Sequence, residues 1–161
     1  MSQVTEIVLR SSIIGVGATA VADQWGFLLK SLGVPMLDFA YLGRWVGYMP
    51  EGRWFHARIA ETAPVKGERY LGWGLHYAIG IAFAALLVSI FGPEWVRHPT
   101  LLPALSIGVA TVAAPLFIMQ PALGAGIASS KTPTPLRNTL KSLANHAVFG
   151  LGLYLAAWIA A

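Results

Sequence analysis

Four apolar runs decide what this chain can become. They cover 7–29, 70–91, 101–122 and 140–160 of its 161 residues. Each is close to the ~20 residues an α-helix needs to cross the hydrocarbon of a bilayer. In that medium every backbone N–H and C=O must be satisfied within the protein, so such runs become helices. Only 11% of the residues are charged and 56% are hydrophobic, with a mean hydropathy of +0.63. A soluble domain carries about a quarter charged residues. The sequence therefore predicts an all-α integral membrane protein, one four-helix transmembrane domain over 1–161, with no soluble domain. The chain has no cysteine, which excludes disulfides, thiolate metal sites and a cysteine nucleophile.

The first run carries Arg10 ahead of a stretch ending in Ala18-Thr19-Ala20, which is the outline of a cleaved leader. Its apolar core is short and rich in Ser and Gly, and the run continues to Leu29, so a membrane span is the expected outcome. Ser12, Gly15, Thr19, Asp23 and Gly26 recur at three- and four-residue steps, a small and polar face suited to helix packing. Gly33 and Pro35 should end the helix. Between 35 and 63, Leu37, Tyr41, Leu42, Trp45, Tyr48 and Met49 keep a near-helical spacing that Pro50 breaks. The stretch 51–61 then mixes Trp54, Phe55 and Ile59 with Arg53, His56 and Arg58. This predicts one or two amphipathic helices at the headgroup level, or a structured loop packed on the bundle. Trp95, in the connector after Gly92-Pro93, is expected as an interfacial anchor, and His56 and His98 as solvated or interfacial side chains. Pro115 should kink the third span, and the glycine-rich 121–126 should break its end.

The basic residues sort by side. Nine of the eleven Lys and Arg lie in the connectors between spans 1 and 2 and between spans 3 and 4, or just inside the flanking helices; only Arg10 and Arg97 lie on the other side. The excess predicts a multi-pass membrane protein with both basic connectors in the cytoplasm and both termini outside it. The net charge of +4 is thus a topology signal and calls for no nucleic acid. Arg44, Arg53 and Arg58, beside aromatics, are either plain topology charges or hold lipid headgroups.

Two histidines stand in similar contexts, His76-x-x-x-Gly80 in span 2 and His146-x-x-x-Gly150 in span 4. Gly17-Ala-Thr19 in span 1 matches Val109-Ala-Thr111 in span 3. The order is kept, as two tandem helical hairpins would have it. At 1.5 Å rise per residue, Asp23, His76, Gln120 and His146 all fall roughly 10 Å or less from the cytoplasmic surface. Asp23 is the one carboxylate inside any predicted span. Polar groups at this depth face the bundle interior and mark pathways, or pair as structural glue. Three readings are open. One is an interhelical hydrogen-bond layer, as in a structural subunit of a larger membrane complex. Another is a solute, ion or proton site made by Asp23, His76, Gln120 and His146. The third is a cofactor site: haem b held by His76 and His146, or a divalent metal held by Asp23, His76 and His146. Four short spans enclose little volume, so solute transport calls for a homo-oligomer. No nucleophile motif or phosphate loop points to an enzyme.

Ala22-Asp23-Gln24-Trp25, Gly72-x-x-x-His76-Tyr77-Ala78-Ile79-Gly80, Met119-Gln120-Pro121-x-x-Gly124-Ala125-Gly126 and His146-x-x-Phe149-Gly150-Leu-Gly-Leu-Tyr154 fall in all four spans. Together they resemble a family of small bacterial inner-membrane proteins, domain of unknown function 2938. The resemblance implies a four-span bacterial membrane protein and carries no activity and no site role.

Overall fold

The computed structural model describes residues 3–161. The described residues are mainly helical, with no strand among them. Seven α-helices run in order: α1 Gln3–Ser31, α2 Phe39–Tyr48, α3 Glu68–Phe91, α4 Pro93–Arg97, α5 Leu101–Ala110, α6 Gln120–Leu123 and α7 Pro135–Ala160. Four stretches are long and apolar enough to cross a membrane: Val4–Ser31, Glu68–Phe91, Leu101–Leu123 and Pro135–Ala160. No more than 28% of any span's apolar window is buried inside the protein. Val8, Ile13, Ile90 and Ile159 are among the large side chains left exposed on these helices, a surface that suits lipid and would be costly in water.

The helix ends reflect local chemistry. Gly33, at φ 78°, closes α1. The Gly33 N–H donates to the Lys30 carbonyl at 3.0 Å and the Val34 N–H to Leu29 at 2.9 Å, the paired bonds of a Schellman cap. Asp38 caps α2, its carboxylate accepting from the Ala40 N–H at 2.9 Å. Gly92, at φ 80°, turns the chain from α3 into α4, where Pro93 occupies the first turn.

The chain forms two compact units. The first comprises the chain up to Pro35, Tyr77–Thr111 and Ala144–Ala161. Its core gathers Ile14 and Ala18 of α1, Ala84 and Leu87 of α3, Ala104 and Ile107 of α5, and Phe149, Leu153 and Ala157 of α7. Trp95 and Val96 belong to the same core. The expectation for Trp95 is therefore corrected: it is 6% exposed, its indole N–H donates to the Thr100 carbonyl at 3.2 Å, and it anchors α4 inward.

Small residues set the helix spacing in this unit. A Cβ on Gly15 would meet the Ile81 backbone at 2.5 Å, and one on Gly108 would collide with the Gly150 backbone. The two predicted hairpins share a contact pattern. Gly80 lies against Thr19 and Gly15, and Gly150 against Gly108 and Ala104. Thr19 donates to the Gly15 carbonyl, and Thr111 to the Gly108 carbonyl, both at 2.7 Å.

The second unit comprises Met36–His76 and Val112–Leu143. Of the one or two amphipathic helices, or structured loop, expected between 35 and 63, one helix forms and the rest is loop. α2 is succeeded by single 3-10 turns at Met49–Glu51 and Ile59–Glu61, with irregular chain between them. Pro50 and Gly52, the latter at φ 74°, stop the helix. Arg44 then organises the irregular chain. Its Nε and Nη2 donate to the two Glu68 carboxylate oxygens at 2.8 and 2.7 Å, and Nη1 donates to the carbonyls of Ile59 and Thr62 at 3.1 and 2.8 Å. Hydrogen bonding to Glu68 raises an already high arginine pKa. The lipid-headgroup expectation for Arg44 is thereby corrected: the residue is 7% exposed and spent on the protein's own acceptors. Arg53 and Arg58 remain exposed, beside Glu51 at 3.9 Å and Glu61 at 3.0 Å, and Arg53 lies over the Tyr48 ring.

His56 also departs from expectation. It is 7% exposed. Its backbone N–H donates to the Ala122 carbonyl at 2.9 Å, latching the 52–58 chain onto α6. Its Nδ1 lies 3.3 Å from the Thr62 hydroxyl, and its buried Nε2 has no hydrogen-bond partner. Burial, reinforced by the nearby Arg53 charge, lowers the His56 pKa. A histidine neutral in the fold and free to protonate when unfolded stabilises fully above its ordinary value of 6.5; that stability is lost as pH falls below it. Amide protection over 53–58, corrected for the intrinsic exchange rate, is therefore expected to fall on acidification below that value. The His56→Gln variant should show a flatter pH profile over the same amides.

Candidate functional site

The third span is not a plain kinked helix. α5 stops at Ala110, and the Thr111 N–H still bonds back to Ile107 at 2.9 Å. The stretch Pro115–Met119 is then wound as a π-helix, with the Gln120 N–H reaching the Pro115 carbonyl. Pro115 and Pro121 each lack an N–H, so the regular ladder cannot run through either. A wide turn with i→i+5 bonding is the local answer. Beyond α6, Gly124 at φ 96° and Gly126 at φ 76° reverse the chain, and Ala128 and Ser129 also hold positive φ, at 48° and 61°. This irregular backbone is tolerated because it is tied to protein: the Ala125 N–H donates to Gln120 at 2.8 Å, and the Lys131 N–H to Ala125 at 2.9 Å. A Cβ on Gly124 would strike the backbone of His56 and Ala57.

The four polar residues expected at one level divide between the two units, two in each. In the first unit, the Tyr77 hydroxyl of α3 donates to Asp23 of α1 at 2.9 Å. Asp23 is partly exposed, so its carboxylate is held without being sealed. Two residues on, the Trp25 indole N–H donates to Asn145 of α7 at 3.0 Å. His146 of α7 places Nδ1 3.1 Å from the Thr111 hydroxyl and 3.2 Å from the Gly108 carbonyl. A carbonyl only accepts, and Thr111 already gives its proton to that same carbonyl. These contacts assign the proton to Nδ1 and leave Nε2 with the lone pair in the neutral ring. Phe83 and Phe149 flank the ring at 6.4 and 6.5 Å between centroids.

In the second unit, His76 stacks on Phe39 of α2 at 4.1 Å between centroids, with Trp73 edge-on at 5.9 Å. A Cβ on Gly72 would collide with the Phe39 carbonyl, so α2 and α3 meet at a glycine beside this aromatic cluster. Gln120 is 9% exposed. Its Oε1 accepts from the Ser129 hydroxyl at 3.0 Å, and its Nε2 donates to Ser142 of α7 at 3.3 Å. Gln120 thus ties the end of the broken span to α7 and to the strained backbone at Ser129.

Among the described residues no three His, Asp or Glu side chains are grouped to hold a metal ion. Of the set expected to hold a metal, Asp23 and His146 lie in the first unit and His76 in the second. Tyr77, Thr111, Ser129 and Ser142 complete the polar pairs, and none is a site candidate on sequence grounds. Tyr77 adjoins His76, and Thr111 carries a signal only as the counterpart of Thr19. Sequence adjacency is the available pointer to the first, and the repeat to the second.

No curated protein and no solved structure matches the chain. The family model described as Protein of unknown function (DUF2938) matches residues 12–160, nearly the whole length, and the chain belongs to that family.

Proposed function

We propose that this multi-pass membrane protein handles a small polar solute or ion in the bacterial inner membrane, and that Asp23 carries the exchanging proton or meets the cation. The observation that carries the reading is the Tyr77–Asp23 hydrogen bond. It holds the one carboxylate found well inside a span. Ionisable groups at such depth are expensive, and they recur at ion and proton pathways. His146, with Nε2 left as a lone pair, supplies a second proton-exchanging group in the same unit. The π-wound, glycine-terminated third span has the irregular backbone that solute sites in membranes use.

The distribution of Lys and Arg supports an orientation with both termini outside the cytoplasm. A reporter active only in the periplasm, fused after Ala161, is expected to be active; cytoplasmic activity there would overturn the orientation. Function in this reading belongs to a homo-oligomer, because four spans of this length enclose little volume.

The test is proton movement in proteoliposomes under an imposed membrane potential, read with an entrapped pH dye while mixtures of amino acids, organic acids and polyamines are added. Wild-type protein is expected to move protons with at least one mixture, and Asp23→Asn to reduce the rate to that of protein-free vesicles with an unchanged melting temperature. If Asp23→Asn lowers the melting temperature and leaves flux intact, the pair is structural and the proposal fails.

A further inference from the structure

The first unit holds a cavity of about 240 Å³ lined by Glu6, Ile7 and Arg10 of α1, Val88 of α3, and Pro93, Val96 and Arg97 around α4. It has no part in the polar pairs described above. Its walls divide by chemistry. Ile7, Val88, Pro93 and Val96 form an apolar side, and Arg10 and Arg97 bring two guanidinium groups to the same space. Glu6 does not cancel them both: its carboxylate is taken by Arg10 Nε at 3.1 Å. Arg10 Nη1 donates to the Ala160 carbonyl at 3.2 Å, which fixes the head against the end of α7. Neither bond uses Nη2. Arg97 makes one exposed contact, Nη1 to Glu94 at 3.4 Å, and keeps its other N–H groups.

We infer that this cavity is a binding site for a phosphate oxyanion carried on an amphiphile, with Arg10 and Arg97 as the phosphate-binding pair. Two forked guanidinium groups match the geometry of phosphate oxygens. The apolar wall suits the glycerol and first methylenes of a phospholipid, and a cavity of this size takes a headgroup rather than whole acyl chains. Val8, Ile90 and Phe91 are exposed on the same helices. Paired guanidinium groups beside an apolar wall supply the two chemistries that an anionic lipid headgroup presents. Arg10 and Arg97, the two basic residues on the sparsely charged side of the topology, thereby acquire a role.

The experiment uses the full-length protein in detergent, with phosphatidylglycerol, phosphatidylcholine or inorganic phosphate added separately, and reads retained lipid by native mass spectrometry and the shift in melting temperature. Phosphatidylglycerol is expected to be retained and to raise the melting temperature, and phosphatidylcholine to do so weakly. An equal shift with inorganic phosphate identifies a soluble phosphate as the occupant of the same pair; a shift with phosphatidylglycerol alone identifies a lipid. Arg97→Gln, whose one contact is exposed, should keep the unliganded melting temperature and weaken binding about tenfold, the loss of one charge-assisted contact. Arg10→Gln with Arg97→Gln should abolish retention, and Arg137→Gln should leave it unchanged. Equal retention by the double variant and the wild type, or no response to either phosphate species, overturns the site.

Discussion

Arg44→Ala is expected to remove roughly 3–5 kcal/mol of stability, the cost of leaving a buried partner charge unpaired. Four of the arginine's N–H bonds end on Glu68 and on the Ile59 and Thr62 carbonyls. The substitution strands the Glu68 carboxylate, 15% exposed at its side chain, and frees the carbonyls that close the irregular chain after α2. Glu68 Oε2 also accepts from the Val65 N–H at 2.8 Å, so the connector into α3 loosens as well. Hydrogen exchange should rise first over 59–68, and the melting temperature should fall. Arg44→Lys keeps the charge and loses the fork, and should lie between the two. A melting temperature for Arg44→Ala equal to that of the wild type would show that the pair does not organise this unit.

Gly108→Val should be among the most damaging substitutions within the transmembrane helices. A Cβ there would collide with Gly150 Cα and lie 2.8 Å from the His146 carbonyl oxygen. Every obstacle is backbone, so no side chain can swing aside and α5 and α7 must separate. Overpacking costs about 1–3 kcal/mol, and the separation also pulls Thr111 away from His146. Gly74 provides the contrast, because nothing lies within 4 Å of its added Cβ. Gly74→Ala should leave the melting temperature unchanged or raise it, in keeping with alanine's helix propensity. The pair of variants, compared by thermal unfolding in one detergent, separates close helix contact from glycine content.

The outline of this protein is legible in its sequence because a bilayer leaves so few options. The four spans lie within a few residues of the expected limits; α7 starts earlier, at Pro135, which fits a first helical turn. Gly33 announces the helix end that it forms. The buried arginine is not legible. Arg44 lies in a run of aromatic and basic residues that reads equally as a membrane interface, and its partner lies 24 residues away. Trp95 and His56 mislead for the same reason: local composition reveals neither the helix core that buries Trp95 nor the distant Ala122 carbonyl that holds His56.

Within the candidate site, Asp23 and His146 stand out because an apolar run gives polar residues high contrast. Their partners do not stand out. A four-residue stripe joins His76 and Gly80, whereas Tyr77 lies about 100° further around the helix. Which of those faces meets α1 is settled by the close approach of Gly15 and Gly80, a property of packing. Gln120 is legible as a polar residue at a broken helix end. Ser129 is not, because its approach depends on the two positive-φ residues that bend the chain back.

The most direct measurement is infrared difference spectroscopy of the reconstituted protein across a pH series, following the carboxyl C=O band of Asp23. The account predicts a band that appears and disappears with pH over the range in which the vesicles move protons. It should shift in Tyr77→Phe, which deletes the hydroxyl that donates to Asp23, and vanish in Asp23→Asn. A carboxyl band that stays constant across that range while protons still move would contradict the assignment of Asp23 as the exchanging group.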